Sequence, residues 1–192
     1  KNIATEANFT WVSGSDGTIP VDHSYDTNKG HYLQLTPDQI GEGEGKNAEM
    51  RLPLFKNLDP LDFCFQLYYI LRGETEIVIH AKIGEGIDEL GRIKGDVKEW
   101  ELYQKTYNNF EPNQNVTFFI KGQGVFNGTI AIDDFSFATG SCPEAGSCSF
   151  ENAHTCTWYS NPNDQLQWRV TDGRLSHEHG PERDHTLNTT FG

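Results

Sequence analysis

The residues of this chain best able to form new bonds are four cysteines, Cys64, Cys142, Cys148 and Cys156. No two stand in a Cys-x-x-Cys pair, the spacing that serves redox chemistry or zinc. An even set of four allows three complete disulfide pairings, and spacing alone does not choose among them. Four Asn-x-Ser/Thr sequons accompany them, at Asn8, Asn115, Asn127 and Asn188. Any one of these reads equally as a polar turn or as a glycan acceptor, but together with paired cysteines they point to an oxidising, extracellular setting. The carboxylates offer a different chemistry. Asp133 and Asp134 are adjacent in a strand-like run, and Asp22 precedes His23 in a loop. Carboxylates on a strand are costly to bury unless they are paired or hold a cation. Aspartates also cap turns by accepting backbone N–H groups, and both readings stand. The cluster His177, Glu178, His179, Glu182 and His185 lacks the His-Glu-x-x-His spacing and is broken by Gly180-Pro181, so it reads as a solvated loop. No Gly-x-Ser-x-Gly elbow, phosphate loop or dinucleotide fingerprint occurs, and catalysis by this chain is not expected.

The elements that position these groups must come from 192 residues, enough for one domain and part of a second. At 35% hydrophobic and 12% aromatic residues, the chain can build a packed core. Its formal charge of −13 and scattered basic residues argue against a nucleic-acid partner or a basic membrane-binding patch. No run approaches the roughly 20 apolar residues of a membrane helix, so no membrane segment is expected. With neither an initiator Met nor a signal segment, a mature chain or a fragment is expected.

The strongest local pattern is Leu61 to Gly73. Leu61, Phe63, Phe65, Leu67, Tyr69 and Leu71 alternate with Asp62, Cys64, Gln66, Tyr68 and Ile70. This period of two predicts a strand with one face on a large core. Cys64, in mid-strand, is either a small buried hydrophobe or half of a cross-sheet staple, and the paired cysteines favour the staple. Similar runs predict strands at residues 8–12, 31–35, 76–83, 115–121 and 129–137, and residues 97–106 contain Trp100 and Leu102. Residues 49–55 read as an edge strand or bulge because of Pro53. Residues 36–47 read as an exposed loop, and 84–95 as a hairpin or loop punctuated by glycine. Trp11, Trp100, Trp158 and Trp168 lie in apolar runs and read as core anchors. Short, evenly spaced strands with glycine turns and no amphipathic helical pattern predict an all-β, jelly-roll-like β-sandwich.

The chain also repeats itself. Asp22 to Gly30 aligns without gaps on Asp184 to Gly192, 162 residues later. Phe9-Thr10-Trp11 aligns with Leu166-Gln167-Trp168, and Asp16-Gly17 with Asp172-Gly173, in the same order. Three ordered blocks indicate two copies of one module. With Cys148-Ser149-Phe150-Glu151, Cys156-Thr157-Trp158, Gly30-His31-Tyr32-Leu33, Cys64 to Tyr69, Gly128 to Phe135 and the closing Cys142, the chain resembles the MAM domain. This is the extracellular module shared by meprins, neuropilins and mu-type receptor tyrosine phosphatases.

The resemblance implies a MAM domain lacking its first strand at residues 1–142, a junction at 143–147, and the N-terminal part of a second MAM domain at 148–192. It implies disulfides Cys64–Cys142 and Cys148–Cys156. It also implies cation sites, with calcium the expected ion, at Asp22 with Asp133 or Asp134 in the first copy and at Glu151 with Asp184 in the second. The implied function is non-catalytic extracellular adhesion or recognition, in a secreted or membrane-anchored protein. Its partner would be another extracellular protein, a second copy of the same chain included. The rival reading is an accessory folding or oligomerisation module of an ectoenzyme such as an astacin-type metalloprotease.

Overall fold

The computed structural model describes residues 9–35, 46–52, 54–58, 62–108, 110, 114–124, 128–144, 146–150, 158, 165–166, 168 and 181–190. The chain divides into two compact units, Lys1–Cys142 and Pro143–Gly192.

The first unit is all β among the described residues. Its strands are β1 (Thr10–Ser13), β2 (His31–Leu35), β3 (Lys46–Arg51), β4 (Phe55–Leu58), β5 (Phe63–Arg72), β6 (Thr75–Ile83), β7 (Gly86–Lys94), β8 (Val97–Tyr107), β9 (Gln114–Gly124) and β10 (Thr129–Thr139). They form two antiparallel sheets. One runs β1-β2-β10-β5-β8, and the other β3-β9-β6-β7 with β4 also paired to β9. This is the expected jelly-roll-like sandwich. β3 and β4 lie in succession along one edge of β9; Pro53, between them in sequence, lies outside the described residues. The glycine-punctuated segment after β6 is a hairpin with β7. Lys46 and Asn47 belong to β3, not to the preceding loop.

The main core lies between the sheets. Phe63, Phe65, Leu67, Tyr69 and Leu71 of β5 meet Ile77, Ile79 and Ala81 of β6 and Val116, Phe118 and Ile120 of β9. Period-two alternation puts each of these side chains on its strand's inner face. The other face of β5 is covered too: Cys64 and Ile70 are buried, and Gln66 is only 8% exposed. The single-faced strand expected from the sequence is buried on both sides.

The outer cover is the segment between β1 and β2. Ile19 packs with Tyr32, Ile70 and Ala131 in a second small core, against Val12 and Trp100. Tyr32 Oη accepts the Ile19 amide at 2.8 Å and donates to the Ile19 carbonyl at 2.9 Å. Gln34 Oε1 accepts both the amide and the hydroxyl of Thr18, and Trp100 Nε1 donates to the Val21 carbonyl. The segment closes on a tight turn around Asp22, which is 1% exposed. The amides of Tyr25 and Thr27 each donate to its carboxylate at 3.0 Å. Its own amide donates to the Thr27 carbonyl. Asp26 takes φ +51°, the left-handed conformation that Asp tolerates. Gly30 must lack a side chain here, since a Cβ would sit 1.9 Å from Asp22 Cγ.

Cys64 and Cys142 form a disulfide with 4.6 Å between their Cα atoms. It is not a staple between the two sheets. Cys64 lies on the outer face of β5, and the bond fastens the chain after β10 to that face. The Cys142 amide donates to Thr106 Oγ1, the Gly140 amide to the Asp62 carbonyl, and Ser141 Oγ to the Asp62 carboxylate.

In the second unit, Asp184 rebuilds the Asp22 turn. Its amide donates to the Thr189 carbonyl, and its carboxylate accepts the amides of Leu187 and Thr189. Asn188 takes φ +54°, in the place of Asp26. The aligned sequences form the same turn. Trp158 Nε1 donates to the Gly146 carbonyl. Cys148 is held in a disulfide, and Cys156 lies outside the described residues.

Two stability measurements test these contacts. Replacing Cys64 and Cys142 together by Ala should lower unfolding free energy by about 4 kcal/mol, read from denaturant midpoints, because the bond closes a loop of 78 residues. Gly30→Ala should cost about 2 kcal/mol or more, since overpacking a filled site forces its backbone to shift. A neutral Gly30→Ala would mean that the Asp22 turn does not hold this segment.

Candidate functional site

The acidic residues of the first unit meet where the Asp22 turn lies on β10. A bulge between Asp133 and Ser136 interrupts the pairing of β10 with β5, and Asp134 takes φ +45°. Bulges of this kind re-aim side chains, and here both carboxylates reach the turn. Asp133 accepts the His23 amide at 2.8 Å on one oxygen and the Asp134 amide at 2.8 Å on the other. Asp134 accepts Ser24 Oγ at 2.6 Å and contacts His23 Nδ1 at 2.6 Å. The His23 ring stacks on Tyr68 with 3.4 Å between centroids and meets the edge of Trp100. Asp22, Asp133 and Asp134, named from the sequence, do come together. The bridging His23 and its shelf of Tyr68 and Trp100 were not anticipated, because those partners lie 45 to 111 residues away along the chain.

The electrostatics follow from burial and neighbours. Burial pushes the Asp133 carboxyl above the usual range. The amides of His23 and Asp134 pull it partly back, while the Asp134 and Asp22 carboxylates push it further up. The hydrogen bond from His23 holds Asp134 below the usual range, against the opposing effect of its burial. In the second unit the Leu187 amide does the same for Asp184.

Every oxygen of Asp22, Asp133 and Asp134 already contacts a protein donor or the His23 ring. The turn-capping role is therefore fully met at Asp22 and Asp184. Each carboxylate oxygen retains a second lone pair, and the Asp22, Asp133 and Asp134 carboxylates lie near enough together for the other two to act on Asp133. That chemistry suits a hard cation. Among the described residues, however, no three acidic, His or Cys groups converge as a complete ligand set. A cation here would draw on Asp133 and Asp134 with other oxygens. Glu151, the other acid expected near Asp184, lies outside the described residues.

Of the sequons, Asn115 is exposed at the start of β9 and Asn188 is exposed in the Asp184 turn. Asn8 and Asn127 lie outside the described residues. The described part of the histidine-rich stretch, Pro181 to His185, is exposed or half-buried, without a ligand cluster among the described residues. The tryptophans depart from expectation. Trp100 is half-buried beside Tyr32, but Trp11, Trp158 and Trp168 are 67%, 66% and 93% exposed. Trp11 pairs with Leu33 across the strands, so it stands on the core-facing side of β1. There, on the edge strand of its sheet, it stacks on His31 at 3.8 Å. Apolar context in sequence marks the face of a strand, not whether the opposing sheet reaches that far.

The chain is 28% identical over 172 residues to thyroid hormone-induced protein B of Xenopus laevis, covering 82% of this chain and 24% of that protein. It thus spans about a quarter of that relative's length. Among solved structures it is similar to TmCBM61 in complex with β-1,4-galactotriose, at 13% identity and TM-score 0.43, covering 57% of this chain and 70% of that one. It is also similar to a family 16 carbohydrate binding module, at 8% identity and TM-score 0.44, covering 68% and 84%. The family model described as MAM domain, meprin/A5/mu, matches residues 3–143 and 148–192. MAM domains are non-catalytic extracellular protein-interaction modules, and with nearly its whole length matched in two segments this chain belongs to the MAM family.

Proposed function

We propose that the chain serves adhesion or recognition at the cell surface or in the extracellular space, through direct contact with another protein, a second copy of itself included. The observation that carries this reading is the Trp11–His31 stack on the edge strand of the first sheet. An exposed tryptophan held flat by a neighbouring ring is a preordered apolar anchor. Beside it, β1 is the terminal strand of its sheet among the described residues, the position at which a partner strand can add. Glycans on the sequons would shield other faces and narrow the choice of contact surface.

Beads coated with the glycosylated chain test this directly. They should cluster with one another, or with cells bearing the partner, and Trp11→Ala should weaken the contact roughly 30-fold, as for an interface hot spot. Coated beads that neither cluster nor bind cells, but bind a metalloprotease catalytic domain, would favour the accessory-module reading instead.

We also propose calcium as a stabilising ligand of the Asp133–Asp134 cluster. A ligand bound only to the folded state raises its stability by about 2.7 kcal/mol at a hundredfold excess over Kd, worth roughly 5–10 °C for a domain of this size. The melting temperature should rise by that amount with calcium and fall back on chelation, and Asp133→Asn should abolish the response. A melting temperature indifferent to calcium across a wide titration would remove the ion from this site.

A further inference from the structure

The outer face of the second sheet carries a groove of about 510 Å3, lined in part by Arg51, His80, Lys82, Asn115, Phe119 and Lys121. The strand register explains why these residues meet. His80 of β6 lies opposite Phe119 of β9, Lys82 opposite Thr117, and Arg51 of β3 opposite Phe119 from the other side. Alternation along β9 then puts Asn115, Thr117, Phe119 and Lys121 on one face. Val116, Phe118 and Ile120 go to the core. The asparagine and threonine of the Asn115-Val116-Thr117 sequon therefore both line the groove.

Three features of the groove suit a saccharide. The half-buried His80 ring stacks on the buried Phe119 ring at 4.9 Å in the groove lining, which fixes an aromatic ring in its floor. The His80 ring, half-buried among the lining residues, carries imidazole nitrogens of the kind that bond a hydroxyl or acetamido group. Arg51, Lys82 and Lys121 gather here with Glu49 as the one acid among the lining residues, in a chain whose net charge is −13. Arg51 pairs with Glu49, whereas Lys82 and Lys121 have no ion pair among the described residues. Lysine ammonium groups donate to sugar hydroxyls and to the carboxylates of acidic terminal sugars. From Asn115 to Lys121 the groove follows β9 for about 20 Å.

We infer that this groove is the seat of the chain's own N-glycan, attached at Asn115 and laid along β9 over His80 and Phe119 towards Lys121. Attachment uses a polyprenyl-pyrophosphate-linked oligosaccharide supplied by the secretory pathway. The Asn115 amide nitrogen forms the bond to the anomeric carbon and loses a proton. The bond from that carbon to the pyrophosphate oxygen breaks, and the polyprenyl pyrophosphate leaves with the electron pair. The covalent link keeps the sugar at high effective concentration over the groove, so contacts too weak to capture a free saccharide suffice. The glycan then covers this sheet and leaves the Trp11 edge of the other sheet open. This inference rests on the extracellular reading above.

The test compares the full chain secreted from mammalian cells with the same protein trimmed enzymatically to one sugar per site, and with Asn115→Gln. Glycopeptide mass spectrometry should find Asn115 occupied. Amine labelling of Lys82 and Lys121 should be at least fivefold slower in the intact glycoprotein than in either comparison. Labelling of Lys98, on β8 of the other sheet and 79% exposed, should not change. The trimmed protein needs no substitution, so the comparison survives if Asn115→Gln fails to fold. Equal labelling with Asn115 occupied would overturn the docked glycan. An unmodified Asn115 beside a glycosylated Asn188 would overturn it as well, leaving the extracellular reading intact, whereas four bare sequons would count against both.

Discussion

The first unit depends on covering both faces of β5. Its inner face, Phe63 to Leu71, is sealed by the second sheet. Its outer face, with Cys64, Gln66 and Ile70, has no sheet above it among the described residues and is covered by other means. Irregular chain can do this only if its backbone polar groups find partners. The segment between β1 and β2 meets that condition through side chains: Tyr32, Gln34 and Trp100 bond its backbone from below, and Asp22 satisfies its closing turn from within. The disulfide covers the start of the same face by tying the exit of β10 to Cys64.

The acidic cluster follows from that covering. A loop lying on a sheet needs acceptors where its amides face the strands, and the bulge in β10 supplies two carboxylates at that point. Burial there pushes the Asp133 carboxyl upward, with the neighbouring Asp134 and Asp22 carboxylates adding to it, while the hydrogen bond from His23 holds Asp134 down. Structural and ligand-binding roles are not alternatives at such a site. The amides take one lone pair of each Asp133 oxygen, and a hard cation could share the rest.

The two sheets present unlike outer surfaces. One is largely roofed by the β1–β2 segment and ends in an edge strand carrying the Trp11–His31 stack. The other carries a groove that draws together cations from β3, β6 and β9. A chain of strongly acidic composition thus has a locally basic surface, and its exposed aromatic anchor lies on a different sheet.

The sequence by itself determined the strands, because apolar residues at every second position can share one face only in an extended chain. It determined the Asp22 and Asp184 turns as well: the bonds that make them are local, so Asp22 to Thr27 and Asp184 to Thr189 fold the same way. Alternation at β5 identified the inner face, but the roof on its outer face rests on contacts between Ile19 and Ile70 that no local pattern carries. Cysteine spacing allows three pairings and only the family resemblance pointed to Cys64–Cys142; tertiary structure brought the two together. It likewise brought His23 to Asp134, across 111 residues. The tryptophans make the same distinction: Trp11 and Trp100 both lie in apolar runs, yet one overhangs a sheet edge and the other sits beneath a loop. Scattered lysines became a groove for the same reason, because strand register, not sequence distance, decides which side chains are neighbours.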